Sequence, residues 1–473
     1  MHWKDARILA YRAVALLAVL GAIGCSSDFD VWPEERLLGR GIPTFRPDEE
    51  SETTESLVVE EPTGPLTLRK ALALSLARSP ALAAASWSVR AAEARALQEG
   101  LPPNPEVRVR FEDFGGSGAF RGTSFSEHGV RLGQVIELGG KASKRRRAAR
   151  LEAALLGWDY ETRRLDVFTG TTKAFVVVLA AQKRLTAAQE MHDTAQHVLS
   201  MVTRRVQGGA GTGLEIEQAR IELGNSRIEL ERAQHAMKTA RGLLVNHWDG
   251  KIPRFQKVTG DLEDISTVKI PTWEQAAAGI ENNPDVNRWE TEGLMRKAAL
   301  EREKANAISD LRVLLGARRL QDTEDYGFMI ALEIPLPIFD RNQGSISEAR
   351  LNCRKTPYEK KAAVMLATAQ LYQAYQSLAV AQREVKLLNT EVIPAAKAAC
   401  MALKGGGLTD IQFLKAQRTL FRVRVRQIDA LEVFHVSLAD VERLTGQAIG
   451  DLTAGARRPD APGKEKPKDK APE

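Results

Sequence analysis

The stretch Lys141–Gln207 constrains the fold of this chain more than any other. No proline interrupts it, and it is dominated by Ala, Leu, Glu, Gln, Arg and Lys, which are good helix formers. As one helix rising 1.5 Å per residue, it would be roughly 100 Å long. Apolar residues recur along it in the alternating steps of three and four that mark a coiled coil: Ala188, Met191, Ala195, Val198 and Val202. We predict a rod that packs lengthwise against other rods.

A glycine-rich turn at residues 208–213 ends the rod, and a helix with an apolar heptad seam returns from it. The same order of segments recurs about 200 residues later. Ser79-Pro80 corresponds to Asn283-Pro284, and the turn at 212–219 corresponds to the one at 409–416. The chain is therefore an internal duplication. Each unit holds a short helix, a helix, two strands, a very long helix, a glycine turn and a returning helix.

Each unit also contains two segments in which apolar and polar residues alternate, which predicts four strands at about residues 106–113, 127–136, 310–318 and 325–334. Their lengths and their alternation fit transmembrane β-strands. A half-buried sheet in a soluble domain alternates in the same way. The membrane interpretation is favoured because no other predicted element covers the apolar faces.

Four strands cannot close a barrel, and lipid does not tolerate an open sheet edge. Two copies would give eight strands and a lumen too narrow for water, whereas three copies give twelve strands and a channel. We therefore expect a homotrimer. Four arginines are predicted to face water in the barrel lumen: Arg108, Arg110, Arg131 and Arg312.

The N-terminus resembles an export signal, because basic residues precede an apolar run that is too short to span a membrane. The run ends in Ala22-Ile23-Gly24-Cys25, which resembles a bacterial lipobox and makes Cys25 the expected lipidation site. The alternative is an ordinary secretory signal with an incidental cysteine. The predicted organisation is a signal peptide at 1–24, a lipid-anchored linker at 25–65, a first repeat at 66–248, an equatorial connection at 249–271, a second repeat at 272–450 and a disordered tail at 451–473.

The duplicated unit, the run Gln134–Gly140 before a basic helix start, and the segment Ile334–Gly344 together resemble the TolC family of outer-membrane efflux proteins. The resemblance is strongest to the branch that serves heavy-metal cation efflux. It implies a mainly α protein with transmembrane β: a homotrimeric coiled-coil α-barrel of twelve helices in the periplasm below a twelve-stranded β-barrel. It also implies a passive conduit, partnered by a periplasmic adaptor and an inner-membrane efflux transporter.

The resemblance places the periplasmic tip at the two glycine turns, where the adaptor would dock: Gly208, Gly209, Thr212, Gly405, Gly406, Gly407 and Thr409. Relatives carry acidic residues at the positions of Gln412 and Lys415, so an acidic ring is missing here. Glu215 is instead expected to pair with Lys415, Arg418 or Arg422 and to hold the tip shut. The alternative is that these are ordinary coiled-coil surface charges of small energy.

A dense basic run opens the long helix: Lys141, Lys144, Arg145, Arg146 and Arg147. Cations at a helix N-terminus oppose the helix dipole, so an anion should compensate them. Because the run would lie directly below a barrel, outer-membrane lipid headgroup phosphates are favoured over nucleic acid.

The histidines show no metal-binding spacing, and Cys353 and Cys400 would lie roughly 70 Å apart on one helix, far beyond disulfide reach. No metal site, cofactor or enzyme motif is predicted. The alternatives that remain are a periplasmic adaptor, a structural coiled-coil lipoprotein and a membrane-anchored hydrolase. An adaptor needs one helical hairpin rather than two, and a pure coiled coil needs no strand pairs.

Overall fold

The computed structural model describes residues 63–263, 265, 268–405 and 410–453. Several features predicted from the sequence lie outside these residues: the signal peptide at 1–24, Cys25, the linker as far as residue 62, Gly406, Gly407, Thr409 and the tail from residue 454.

The helices follow the predicted order. They are α1 (Leu68–Arg78), α2 (Pro80–Gln98), α3 (Lys141–Gln207), α4 (Gly213–Val245), α5 (Trp273–Gly279), α6 (Pro284–Asn306), α7 (Gln343–Leu387), α8 (Ile393–Gly405), α9 (Asp410–Thr445) and α10 (Ile449–Thr453). The strands are β1 (Leu66–Thr67), β2 (Glu106–Glu112), β3 (Glu127–Ile136), β4 (Val258–Thr259), β5 (Leu311–Leu320) and β6 (Tyr326–Glu333). Short 3₁₀ turns lie at Gly118–Phe120, Asn246–Trp248 and Ile280–Asn282.

Glycines bound the long helix α3, which is 67 residues long and has the predicted ends. Gly139 and Gly140 precede it, each with φ of 68°, a left-handed conformation that glycine adopts without strain. Gly208 caps its last turn, and Gly209 (φ 80°) opens the connection to α4.

Equivalent prolines open equivalent helices in the two halves of the chain. Pro80 begins α2 behind the N-cap Ser79, and Pro284 begins α6 behind the N-cap Asn283. Proline suits the first helical turn because its missing N–H would have no helical partner there. Each half then continues through two strands, a long rod and a returning helix.

The second rod is interrupted where the first is continuous. A π-helical turn at Leu388–Val392 joins α7 to α8. Pro394 lies just beyond it, and in a regular α-helix its ring would clash with the carbonyl of Thr390. The wider turn accommodates the proline, so the two rods of the chain are not equivalent in detail.

The rods pack lengthwise, as the coiled-coil pattern predicts. α3 lies along α2 and α4 of its own unit and along α6 and α9 of the other, while α7 packs against α6 and α9. Each long rod is therefore flanked by shorter helices in series.

The segment between the repeats lies against the middle of the rods. The Gln182 side chain on α3 donates to the carbonyl of Val258 (3.0 Å) and accepts from its N–H (2.7 Å). The ring of His435 on α9 lies 3.0 Å from the carbonyl of Leu262. The core residues here include Phe175, Val178, Leu179, Leu244 and Phe255. This collar connects the two halves of the chain.

The four longer strands form one antiparallel sheet in the order β2-β3-β5-β6. β2 and β6 are its edges, and each edge has one row of backbone groups without a strand partner in the described chain. The remaining strands, β1 and β4, pair in parallel at the collar.

Candidate functional sites: the open sheet, its junction with the rods, and the hairpin tip

One face of the open sheet is charged. Directly opposed residues of an antiparallel pair share a face. Arg108 lies opposite Arg131, Arg110 lies opposite Gly129, and Arg131 lies in turn opposite Gly316. Arg312 lies on the same face, because it is opposite Val135, and Val135 and Arg131 are alternate residues of β3. The structure therefore places all four arginines that were predicted to line a lumen on one face.

Glycines make room for the arginine side chains on this face. A β-carbon added at Gly316 would lie 2.9 Å from Cγ of Arg131. Gly327 lies opposite Arg318, and a β-carbon there would meet the Arg318 side chain at 3.4 Å. Each arginine stem can therefore lie across the neighbouring strand.

The opposite face is apolar and exposed. Phe328 is 81% exposed and Ile330 is 76% exposed. The exposed residues of this face also include Val107, Val109, Phe111, Val130, Leu315, Tyr326 and Leu332. An exposed apolar surface of this kind marks contact with a membrane or with another protein.

One transverse row of the apolar face has interfacial chemistry. Phe111, His128, Arg319 and Tyr326 lie opposite one another in register across the four strands, at the end of the sheet next to the 113–126 loop. The Phe111 and His128 rings meet edge to face at 5.1 Å, and the Arg319 guanidinium lies 5.9 Å from the Tyr326 ring. Aromatic rings and a cation at one end of an apolar band are typical of a membrane–water boundary.

Protein carboxylates neutralise part of the basic run where the sheet meets the rods. Lys141 Nζ lies 2.7 Å from Asp310. Arg145 donates to Glu137 and lies 3.5 Å from Glu99. The hydrogen bond to Glu137 raises the pKa of the Arg145 guanidinium above its ordinary value, which keeps it charged. These contacts hold the first turn of α3 against the ends of β3, α2 and the segment before β5.

The sequence-based prediction gave Lys141 and Arg145 lipid headgroups as partners, and in the structure both are paired with carboxylates of the protein. The helix dipole required an anion, and the fold supplies it. Arg146 and Arg147 are exposed and Lys144 is half-buried, so their contact with headgroups stays a prediction.

At the hairpin tip, one arginine connects both hairpins. Arg205, in the last turn of α3, forms an ion pair with Glu215 of α4 and another with Asp410 of α9, the latter at 3.1 Å. Further along the same helices, Arg418 of α9 pairs with Glu222 of α4 at 2.9 Å.

Within one chain, Glu215 pairs with Arg205 rather than with the predicted Lys415, Arg418 or Arg422. The tight turn folds the start of α4 back onto the end of α3, so Glu215 meets Arg205. α4 and α9 leave their turns at the same level, which brings Arg418 to Glu222, about two helical turns further on. Gln412, Lys415 and Arg422 are exposed.

The first glycine turn is closely packed around this ion pair. A β-carbon at Gly211 would lie 2.8 Å from Val206 and 2.9 Å from Glu215. Thr212 is the N-cap residue of α4, without a side-chain capping bond, and Gly405 is the last residue of α8. Of the predicted docking turns, the structure thus describes the first completely and the second only as far as Gly405.

Five residues that complete these contacts were not predicted from the sequence: Glu99, Arg205, Glu222, Asp310 and Asp410. Asp410 could have been recognised as a residue of the first helical turn, because the helix dipole favours an acidic residue there. The others are ordinary charges on helix faces, and only the packing gives them partners.

The two cysteines within the described residues are unpaired, Cys400 buried and Cys353 half-buried. Burial raises the pKa of the Cys400 thiol. Across the described ranges, no group of three or more His, Cys, Asp or Glu side chains is placed to hold a metal ion.

Comparisons with known proteins agree with this architecture. The family described as "Outer membrane efflux protein" matches residues 71–248. The cobalt-zinc-cadmium resistance protein CzcC of Cupriavidus metallidurans is 31% identical over 405 residues, covering 84% of this chain and 95% of that protein. The nickel and cobalt resistance protein CnrC of the same organism is 26% identical, covering 62% of this chain and 68% of that protein.

The fold has solved counterparts. The open state of the MtrE outer membrane channel of Neisseria gonorrhoeae superposes with a TM-score of 0.67 at 17% identity, covering 81% of this chain and 89% of that one. The TolC-like fold predicted from the sequence is confirmed. Because the similarity to CzcC extends over nearly its whole length, this chain belongs to the outer membrane efflux protein family, whose channels form trimers and work with periplasmic adaptors and inner-membrane transporters.

Proposed function

We propose that this chain forms, as a homotrimer, the outer-membrane channel of a tripartite pump that exports divalent metal cations. The observation that carries the proposal is the open four-stranded sheet, with its exposed apolar face, its charged opposite face and its two unpaired edges. The channel is a passive conduit, and the inner-membrane transporter supplies the energy.

The sheet supports the trimer on physical grounds. Unpaired backbone groups in lipid cost several kcal/mol each, so β2 of one copy must pair with β6 of the next. Three copies place twelve strands around a water-filled lumen, with the apolar face toward lipid and the arginine face inside. The row containing Arg319 and Tyr326 then lies at the membrane boundary, where a lipid-facing cation costs little.

The relatives support divalent metal cations as the exported solute. The names of CzcC and CnrC give cobalt, zinc, cadmium and nickel. A conduit need not bind these ions tightly, because its task is to offer a continuous aqueous path.

The remaining assignments rest on sequence patterns and on the tip geometry. The adaptor docks on the two glycine turns, Cys25 carries a lipid anchor, and Lys144, Arg146 and Arg147 contact periplasmic-leaflet headgroups. The tip is held closed by the ion pairs of Arg205 with Glu215 and Asp410.

Two measurements test the proposal together. The detergent-extracted protein should have a mass close to three times the 52.0 kDa of one chain, apart from bound detergent and any processing. It should conduct ions across a planar bilayer, and deleting it from its native host should lower the tolerated concentration of cobalt, zinc or cadmium. A monomer that does not conduct would contradict the proposed channel, and unchanged metal tolerance would contradict metal cations as the exported solute.

A further inference from the structure

Three of the five arginines on the arginine face of the sheet are paired with glutamates. Arg110 pairs with Glu112 at 3.0 Å. Arg318 pairs with Glu127 at 3.3 Å, and Arg312 pairs with Glu106. The two remaining arginines of this face, Arg108 and Arg131, have no carboxylate within 4.0 Å among the described residues.

These two arginines lie directly opposite each other on β2 and β3. Like charges at opposed positions of an antiparallel pair destabilise the sheet. Arg108 is exposed and Arg131 is half-buried, its stem lying across Gly316 of the next strand. The sheet thus accommodates the second guanidinium sterically but provides no charge to balance either one.

The position of the pair within the sheet matters as much as its charge. The balanced pairs lie on both sides of it: Arg110 and Arg318 toward the 113–126 loop, Arg312 toward the rods. The unbalanced level is therefore near the middle of the strands, in the row of Arg108, Arg131, Gly316 and Met329.

We propose that this row is an anion-binding ring that makes the channel selective for anions. The proposal rests on the trimeric barrel proposed above, in which three copies bring six guanidiniums to one level of the lumen. Rings of arginine select anions in pores because a bare cation meets a repulsive potential there. The ligands are small inorganic anions and carboxylates, and metal ions cross this level accompanied by such anions rather than as bare cations.

The test is the chloride-to-potassium permeability ratio of the full-length channel in a planar bilayer under a potassium chloride gradient. The wild-type ratio should exceed one. The double variant Arg108→Gln/Arg131→Gln should lower it at least threefold, whereas Arg108→Lys/Arg131→Lys, which keeps both charges, should stay near the wild-type ratio. Arg319→Gln is the matched control, because it removes the same charge from the opposite face of the same sheet and should leave the ratio unchanged.

A second readout uses inorganic phosphate as the probe. Added phosphate should reduce the chloride conductance of the wild type and of Arg319→Gln, and should have a several-fold weaker effect on the double glutamine variant. A cation-selective wild type, or a double glutamine variant with the wild-type ratio, would overturn the ring while leaving the channel in place. Absence of any conductance would overturn the channel itself, and the ring with it.

Discussion

Arg205 offers the sharpest test of the proposed closure of the tip by ion pairs. It is the one arginine at the tip, among the described residues, that contacts the start of both returning helices, through Glu215 and Asp410. The three side chains keep 29%, 22% and 28% of their exposure, respectively, so they are only partly removed from water. Replacing Arg205 with Gln removes both ion pairs without shortening the side chain by much.

The partial burial of the ion pairs sets the free energy that the variant is expected to lose. Exposed ion pairs contribute about 0–1 kcal/mol and hydrogen bonds to charged groups about 1.5–3 kcal/mol, so a quarter-exposed pair is worth roughly 1 kcal/mol. Of the two ion pairs of Arg205, only the one with Asp410 joins the two hairpins, so the variant loses roughly 1 kcal/mol of closure free energy per chain. If the three chains of a trimer open together, the loss is roughly 3 kcal/mol, or about 100-fold in the closed-to-open ratio.

Single-channel recording in a planar bilayer measures this ratio as open probability. Arg205→Gln and Asp410→Asn should both raise it by a similar factor, because each breaks the contact between hairpins. Glu215→Gln should raise it less, because its ion pair stays within one hairpin. Arg204→Gln is the control, because it removes the same charge from the adjacent position. Among the described residues, the Arg204 side chain hydrogen-bonds only to the Ser200 carbonyl of its own helix.

Equal open probabilities of Arg205→Gln and Arg204→Gln would contradict this prediction. Equal values would mean that the tip is held by packing rather than by these ion pairs.

Three further outcomes are expected. Gly139→Ala should destabilise the detergent-solubilised protein by roughly 1–3 kcal/mol in thermal unfolding. Alanine would have to adopt a left-handed φ of 68°, and its β-carbon would lie 2.7 Å from the Ile308 side chain. Gly140→Ala, with the same φ and no contact closer than 3.4 Å, should destabilise the protein less. Burial lowers the pKa of His435, so below about pH 6.5 the unfolded chain binds more protons at this residue than the folded chain does. The contribution of His435 to the free energy of unfolding is therefore fully present above about pH 6.5 and decreases as the pH falls toward the folded pKa. The thermal midpoint of His435→Gln should accordingly fall less between pH 7 and 5 than that of the wild type. Cys400 should react with maleimide several-fold more slowly than Cys353 at neutral pH, because burial hinders access and raises its thiol pKa, and equal rates would contradict its packing.

The local architecture could be predicted closely. The ends of α3 follow from flanking glycines and from the absence of proline, and both are visible in the residues themselves. The four strands follow from a period of two, and their ends differ from the prediction by at most two residues. The π-helical turn before Pro394 was missed, although proline in a helix is a signal for such a distortion.

The ion-pair partners could not be predicted in the same way. Arg145 and Glu215 were recognised as charged residues at special positions, but their partners come from other elements. The partner of Arg145 depends on how β3 leads into α3, and that of Glu215 depends on how tightly the Gly211 turn closes. A displacement of one helical turn, about 5.4 Å, would give either residue a different neighbour.

The sequence by itself determined the periodic features of this protein: two long coiled-coil units, four alternating strands and the glycine turns between helices. These depend on residues close together in the chain, where propensity and period act directly. Only the tertiary structure decided which charges are balanced and which are not. The sequence predicts Arg108 and Arg131 only as two of four lumen-facing arginines, and they become a pair of opposed cations without a carboxylate partner in the described part of the chain because the register of β2 on β3 aligns them. Register and helix offset are set by contacts between distant segments, so no local pattern encodes them.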